Sequence, residues 1–383
     1  MMALRSVLPR LLAVAAVAAC AAAARPATAV ETIARQAYMI DAETGAVLID
    51  KNGAQPVPPS SMSKMMTVYL AFERIKEGSL KLDDTFLISE KAWRRGGSKM
   101  FVEVGKRVRV DDLLRGIIVQ SGNDASIAVA EGLAGSEEAF ADQMNRRARE
   151  IGLRDSHFVN SSGWPAEGHV MSARDIATLS LRTVQDFPEL YKMYAEKTFT
   201  YNGIRQGNRN PLLYRNVGAD GLKTGHTEDA GYGLAASATR NGRRLVLVLN
   251  GLPSARARTT ESHRLTEWGF REFDNFTLFR KGDTVATAEV WLGSEAAVPL
   301  VADRDLTVTL PRRARREARV TVNYEGPIAA PIEEGAEVAT LRIAAPDYPA
   351  IEIPLKAGRA VERLGLMGRL GAGLRYILWG TLK

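Results

Sequence analysis

Residues 58–78 read PPSSMSKMMTVYLAFERIKEG, and the fold follows from how this stretch is read. Prolines are excluded from a helix interior, whereas from Ser61 onward helix formers dominate, Met62, Met65, Met66 and Leu70 are apolar, and Gly78 stops the run. The pattern predicts a helix over 61–77. Ser61 then lies in the first turn, near the positive end of the helix dipole, and Lys64 follows one turn later on the same face. A serine hydroxyl is a poor nucleophile until a base takes its proton. A lysine kept from water by apolar neighbours has a lowered pKa and can be that base. Alone, S-x-x-K carries little weight, because it arises by chance about once in a chain of this size and composition.

Two further motifs lie downstream. Ser121-Gly122-Asn123 comes 60 residues after Ser61, at a break between helix patterns over 111–122 and 125–133. A serine and an amide on one tight loop can relay a proton and hydrogen-bond a substrate, although the same residues also form plain turns. Lys223-Thr224-Gly225-His226 comes another 102 residues later, just before a strand pattern at Tyr232. A lysine, a hydroxyl and a glycine on an edge strand make a cationic slot for a carboxylate, with glycine permitting close backbone approach.

Around these motifs the chain reads as alternating elements. Residues 37–50 form a hairpin, 137–151 an amphipathic helix, and Ser172 caps a helix with Asp175 three residues on. Strands at 232–238 and 244–250 join at Asn241-Gly242, and 259–273 is a closing helix. From about residue 275 the segments are short, β-rich and broken by Gly, Pro and Asp, as in a small all-β unit. Its arginine run (Arg312, Arg313, Arg315, Arg316, Arg319) suits lipid headgroups or an anionic wall polymer, or simply a solvated loop.

The 383 residues carry a formal charge of +7, with 46% hydrophobic and 25% charged residues. This composition excludes a low-complexity or polytopic membrane protein. Residues 1–29 contribute +3 and 356–383 contribute +5, which leaves −1 between them. The basicity therefore belongs to the ends rather than to a nucleic-acid surface. Arg5 and Arg10, an apolar run over 11–24 and Ala27-Thr28-Ala29 read as a secretory signal cut after Ala29. A loose lipobox ending at Cys20, the single cysteine, is the alternative. At the other end, apolar side chains from Leu364 to Leu382 share one arc of a helical wheel, with Arg369, Tyr376 and Lys383 opposite. This pattern suits a helix lying in a membrane surface or docked on its own protein.

The three motifs, in that order and behind a signal, resemble the serine penicillin-recognising enzymes. The runs Leu113–Ala125 (LLRGIIVQSGNDA), Asn208-Arg209-Asn210, DGLKTGHT at 220–227 and Trp268-Gly269-Phe270 narrow the resemblance. They point to low-molecular-mass penicillin-binding proteins of the D-alanyl-D-alanine carboxypeptidase, peptidase S11, type. The resemblance implies an α+β fold, an antiparallel sheet flanked by helices with a helical lobe, followed by a small all-β domain and an amphipathic helix. The implied layout is a signal over 1–29, a catalytic domain over 30–275, a β-rich domain over 276–357 and an anchor over 358–383.

The resemblance also implies roles. Ser61 attacks the penultimate D-alanine carbonyl of a peptidoglycan stem, and Lys64 takes its proton. Ser121, helped by Lys223, protonates the leaving amine. Asn123 holds the stem peptide, while Lys223 and Thr224 face the terminal carboxylate. The backbone N–H groups of Ser61 and His226 form the oxyanion hole, and β-lactams acylate Ser61. Arg209 and Arg258 match family arginines, although 252–260 departs from the family pattern, as does Pro211 where glycine is common. The implied location is the periplasmic face of the inner membrane. No cofactor, metal or nucleic acid is expected, since the four histidines (157, 169, 226, 263) lack ligand spacing. A D,D-endopeptidase, a β-lactamase and a non-catalytic wall-binding scaffold remain alternatives. A β-lactamase needs a deacylating glutamate, and the nearest candidate, Glu150, lacks the usual leucine and asparagine around it.

Overall fold

The computed structural model describes residues 30–346 and 348–379, with side chains up to residue 372. The proposed signal and Cys20 lie outside the described residues. Strands β1 (Gln36–Asp41) and β2 (Val47–Lys51) form the expected hairpin. The chain then builds a helical lobe from α1 (Lys64–Lys76), β3 (Thr85–Leu87), α2 (Glu90–Arg94), β4 (Arg107–Arg109), α3 (Val110–Ile118), α4 (Asn123–Ala134), α5 (Glu137–Glu150), α6 (Ala173–Asp186) and α7 (Pro188–Tyr191). A small hairpin, β5 (Thr198–Tyr201) and β6 (Ile204–Gly207), leads back to the sheet through β7 (Ala219–Thr227), β8 (Gly231–Arg240) and β9 (Arg243–Leu252), followed by α8 (Ala255–Glu272).

The five-stranded sheet has the order β2-β1-β9-β8-β7 and is antiparallel throughout. Strands from before and after the lobe share it, and β7 is left as an edge. Side chains alternate faces along β9. Val246 and Val248 join the core under α1 and α6, whereas Leu245, Leu247 and Leu249 pack with Leu265 and Phe270 of α8.

Local chemistry sets the element ends. Ser136, Ser172 and Ser254 cap α5, α6 and α8 by accepting the N–H groups of Ala139, Asp175 and Ala257. Gly135 ends α4 in the left-handed conformation that a Cβ disfavours. Asn241 and Gly242 both take positive φ, as the tight β8–β9 turn requires. The helix expected over 61–77 opens as a tighter 3-10 turn, Ser60–Ser63, before α1 begins at Lys64. The closing helix starts at Ala255, four residues earlier than expected, because Ser254 caps it.

The second unit contains β10 (Phe273–Phe279), β11 (Thr284–Trp291), β12 (Ala297–Val301), β13 (Leu306–Pro311), β14 (Arg319–Asn323), β15 (Ile328–Ala329), β16 (Glu337–Ala345) and β17 (Tyr348–Ala357). Strand β10 follows α8 directly and pairs with β13, so the closing helix ends at Glu272, one residue before the expected end. The helix expected from about 358 begins later, as α9 (Leu366–Trp379). Residues 358–365 lie outside the helix, with a bend at 358–359. Val361 pairs with Ile332 and is buried, and Arg363 pairs with Gly293, so Arg363 is not on the helix at all.

One buried ion pair joins the two units. Asp41, fully buried, accepts from Arg243 Nε at 2.7 Å, and Arg243 also donates to the Phe273 carbonyl at 2.7 Å. Asn275 of β10 donates to the same carboxylate at 3.1 Å. Removing one partner of a buried pair strands the other charge. Asp41→Ala is therefore expected to lower unfolding free energy by about 3–5 kcal/mol, read by urea titration.

Candidate active site

Ser61 lies in the 3-10 turn where lobe and sheet meet, beside Ser60, whose φ of 53° is unusual for a residue with a Cβ. Two glycines let other segments close on this turn. A Cβ on Gly163 (φ +74°) would land on the Ser60 carbonyl oxygen, and one on Gly225 of β7 would lie 2.9 Å from the Pro59 carbonyl oxygen.

Lys64 is fully buried. Its Nζ lies 2.9 Å from Ser61 Oγ, 2.8 Å from Asn123 Oδ1 and 2.5 Å from the Ser162 carbonyl oxygen. Burial, then the nearby Arg209 charge, pull the Lys64 pKa down to about 7, against the opposing pull of Asp124 and Glu137. A neutral amine has two hydrogens and one lone pair. Asn123 and Ser162 take the two hydrogens, which leaves the lone pair for the Ser61 hydroxyl.

The second pair is Ser121 and Lys223. Ser121 sits at φ 60°, before α4, and its Oγ is 2.9 Å from Lys223 Nζ. Lys223 also donates to the Thr224 carbonyl at 3.1 Å. Burial, followed by Lys64, Arg209 and Arg258, pushes its pKa well below the usual lysine range. Lys223, Thr224, Gly225 and His226 run along the edge strand, opposite Ala235, Leu234, Gly233 and Tyr232. His226 stacks on Tyr232 with ring centroids 3.9 Å apart. The Arg258 guanidinium lies 5.7 Å from the Tyr232 ring centroid, and its buried Nε has no hydrogen-bond partner among the described residues. Arg209 donates to Ser98 Oγ at 2.6 Å. Ser61, Lys64 and Asn123 thus lie together, as do Ser121 and Lys223, and the charges of Lys64, Arg209 and Arg258 are felt at Lys223.

The Asn123 side chain is also engaged within the protein: its Oδ1 accepts from Lys64, and its Nδ2 donates to the Gly96 carbonyl at 2.8 Å. Several residues that shape the site were not foreseen. Glu137, buried in the first turn of α5, accepts from Ser161 N at 3.1 Å and from Ser161 Oγ at 2.7 Å. Thr67 donates to the Ser161 carbonyl at 2.6 Å. The Asn160 side chain gathers the N–H groups of Ser162, Gly163 and Trp164. Together these bonds fix the carbonyl that meets Lys64. Asp124 accepts from Met100, Phe101 and Val102 and so pins the segment bearing Gly96 and Ser98. In the sequence, 160–163 reads only as a turn, and nothing there tells which way a carbonyl points. Glu150 pairs with Arg147 at the end of α5. Among the described residues, no group of three or more His, Cys, Asp or Glu side chains could hold a metal ion.

Comparison with known proteins gives the site a family. Residues 21–253 match the family described as D-alanyl-D-alanine carboxypeptidase, and residues 273–363 match the C-terminal domain of penicillin-binding protein 5. The chain is 38% identical to the D-alanyl-D-alanine carboxypeptidase DacC of Escherichia coli K12, over 88% of this chain and 86% of the relative. Identity to DacA of the same strain is 39%, over 79% and 77%. Penicillin-binding protein 5 of Haemophilus influenzae superposes with a TM-score of 0.80 at 35% identity, covering 88% of this chain and 99% of that one. Penicillin-binding protein D2 of Listeria monocytogenes, solved with ampicillin bound, superposes with a TM-score of 0.58 at 28% identity, covering 63% and 98%. With its two domains, its paired serines and lysines and these relatives, the chain belongs to the serine-type D-alanyl-D-alanine carboxypeptidase family, peptidase S11.

Proposed function

We propose that this protein removes the terminal D-alanine from peptidoglycan stem pentapeptides through an acyl-enzyme on Ser61. The observation that carries this reading is the buried Lys64 amine, whose two other acceptors aim its lone pair at Ser61 Oγ. Ser61 Oγ adds to the penultimate D-alanine carbonyl as Lys64 takes the hydroxyl proton. The backbone N–H groups of Ser61 and His226 stabilise the oxyanion. Ser121 donates a proton to the departing amine, and Lys223, 2.9 Å away, restores it. The C–N bond breaks and D-alanine leaves. Water then adds to the Ser61 ester and gives up a proton to Lys223, and Lys64 returns its proton to Ser61 Oγ as the ester C–O bond breaks.

Lys223 and Thr224 receive the terminal carboxylate, with Arg209 and Arg258 adding positive potential. This reading is supported by the two guanidinium groups of Arg209 and Arg258, whose charges are both felt at Lys223. A β-lactam carries the same carboxylate and an acylating carbonyl, so it enters as a substrate mimic. Residues 1–29 serve as the export signal, and α9 rests on the outer face of the inner membrane. In support, Leu366, Met367 and Leu370 are 68%, 82% and 64% exposed. Among the described residues no helix is long and apolar enough to cross a membrane, which fits a helix lying in the surface.

Ser61→Ala is expected to lower D-alanine release from a pentapeptide ending in D-Ala-D-Ala by about 10³-fold or more. It should also abolish the penicillin mass adduct on the Ser61 peptide. An adduct without release would favour cross-link cleavage, and neither from folded protein would favour the scaffold. Because the free amine is the base, acylation should increase with pH to a plateau above about 7. Below that midpoint the rate should fall about tenfold per pH unit, read by stopped-flow with a chromogenic β-lactam. Removing the residues after Gly365 should move the protein from the membrane to the soluble fraction with kcat unchanged, whereas a cut after Lys356 also deletes the buried Val361.

A further inference from the structure

The arginine run between β13 and β14 takes no part in the chemistry of the cleft. Five arginines and one acid, Glu317, lie between Pro311 and Asn323. The run is held in place. The Arg312 N–H donates to the Glu272 carbonyl at 2.8 Å, Ala314 is buried at the head of a 3-10 turn (Ala314–Arg316), and Ala318 packs on the core of the second unit. Two of the arginines are engaged within the protein. Arg312 pairs with Asp274 at 3.3 Å, and the Arg315 guanidinium lies 4.5 Å from the Phe276 ring centroid. Arg313, Arg316 and Arg319 are exposed and form no ion pair among the described residues. A fixed turn thus presents charge that the protein itself does not neutralise.

The fold decides which anion can reach this turn. Arg319 opens β14 opposite Ala344 of β16, and Ala345 lies opposite Tyr348 at the start of β17. The Tyr348 and Phe273 rings are 6.4 Å apart, so this end of the second unit meets the catalytic unit. Strand β17 then runs to Ala357, about 30 Å away at about 3.3 Å per residue. Beyond it come Val361 beside Ile332, Arg363 beside Gly293, and α9. The sheet order also puts β14 at one edge and β11, which leads to Gly293, near the other. The arginines therefore stand several Debye lengths, of about 8 Å each, from the start of α9. The headgroups that hold α9 are beyond their field.

The turn lies instead beside the unit that handles the wall. Each D-alanine released leaves a new carboxylate on a stem peptide, and a guanidinium pairs with a carboxylate through two parallel N–H donors. We infer that this arginine turn is a second docking surface for peptidoglycan, outside the catalytic cleft, which takes the free carboxylates of its stem peptides. The inference rests on the carboxypeptidase reading above. A polymer bearing many stems can meet the turn and the cleft together, and the first contact raises the local concentration of stems for the second.

The test uses the full chain in detergent and purified wall sacculi. Charge reversal, R313E/R316E/R319E, should weaken co-sedimentation with sacculi about tenfold at low salt. The difference from the unaltered protein should vanish at high salt, since exposed pairs are weak and screened. Amidating the sacculus carboxylates should remove the same difference. D-Alanine release from sacculi should fall with binding. The kcat/KM for a soluble pentapeptide and the rate of penicillin acylation should stay unchanged, which also shows that the variant is folded. Sacculus binding that is indifferent to the reversal, or a difference that survives amidation, overturns the docking surface. So does loss of binding to phosphatidylglycerol vesicles with sacculus binding intact, which would assign the turn to lipid. If neither substrate releases D-alanine but sacculus binding still follows the arginines, the docking surface stands and the carboxypeptidase reading falls.

Discussion

The structure is organised around one expensive act, the burial of the Lys64 amine. Burying a charged amine without partners is prohibitive, so such a group either finds acceptors or gives up its proton. Lys64 does both. Three oxygens surround it, and its pKa falls toward neutrality. Each oxygen comes from a different part of the chain: the 3-10 turn, the start of α4, and the turn before α6. The lobe must close to satisfy the amine, and the closed lobe is what makes the amine a base aimed at Ser61.

The sheet completes the site from the other side. Gly225 brings β7 against the turn that carries Ser61, and Lys223 reaches across to Ser121. Two serine–lysine pairs thus face one cleft, one suited to accept a proton at the nucleophile and one to return a proton at the leaving group. Positive φ at Ser60 and Ser121 places backbone strain beside both pairs, a cost that the packing around them must offset. The second unit adds nothing to the chemistry directly. It is fixed to the catalytic sheet through Asp41, Arg243 and Asn275, and it ends in the exposed apolar turn of α9.

Much of this was written locally. The caps at Ser136 and Ser172, the Asn241-Gly242 hairpin and the stop at Gly78 follow from residue chemistry within a few positions. The order of S-x-x-K, S-x-N and K-T-G identified the chemistry and the family. Boundaries that depend on packing were less legible. The helix expected over 259–273 took in Phe273, the first residue of β10, because the partner that holds it in a strand, Pro311 of β13, lies far along the chain. The segment over 358–365 looked helical because its apolar spacing is ambiguous, whereas pairing with Ile332 and Gly293 holds it outside the helix.

The sequence by itself therefore determined the family and nominated the groups for the chemistry, since nucleophile, base and carboxylate slot are residue types at fixed spacing. Only the tertiary structure decided how they are held. The Ser162 carbonyl, the Glu137 and Asp124 carboxylates, and the orientation of Asn123 matter through direction and burial. A hydrogen bond is set by angle and distance between segments far apart in the chain, and a pKa by what excludes water. Neither is a property of a residue type at its own position.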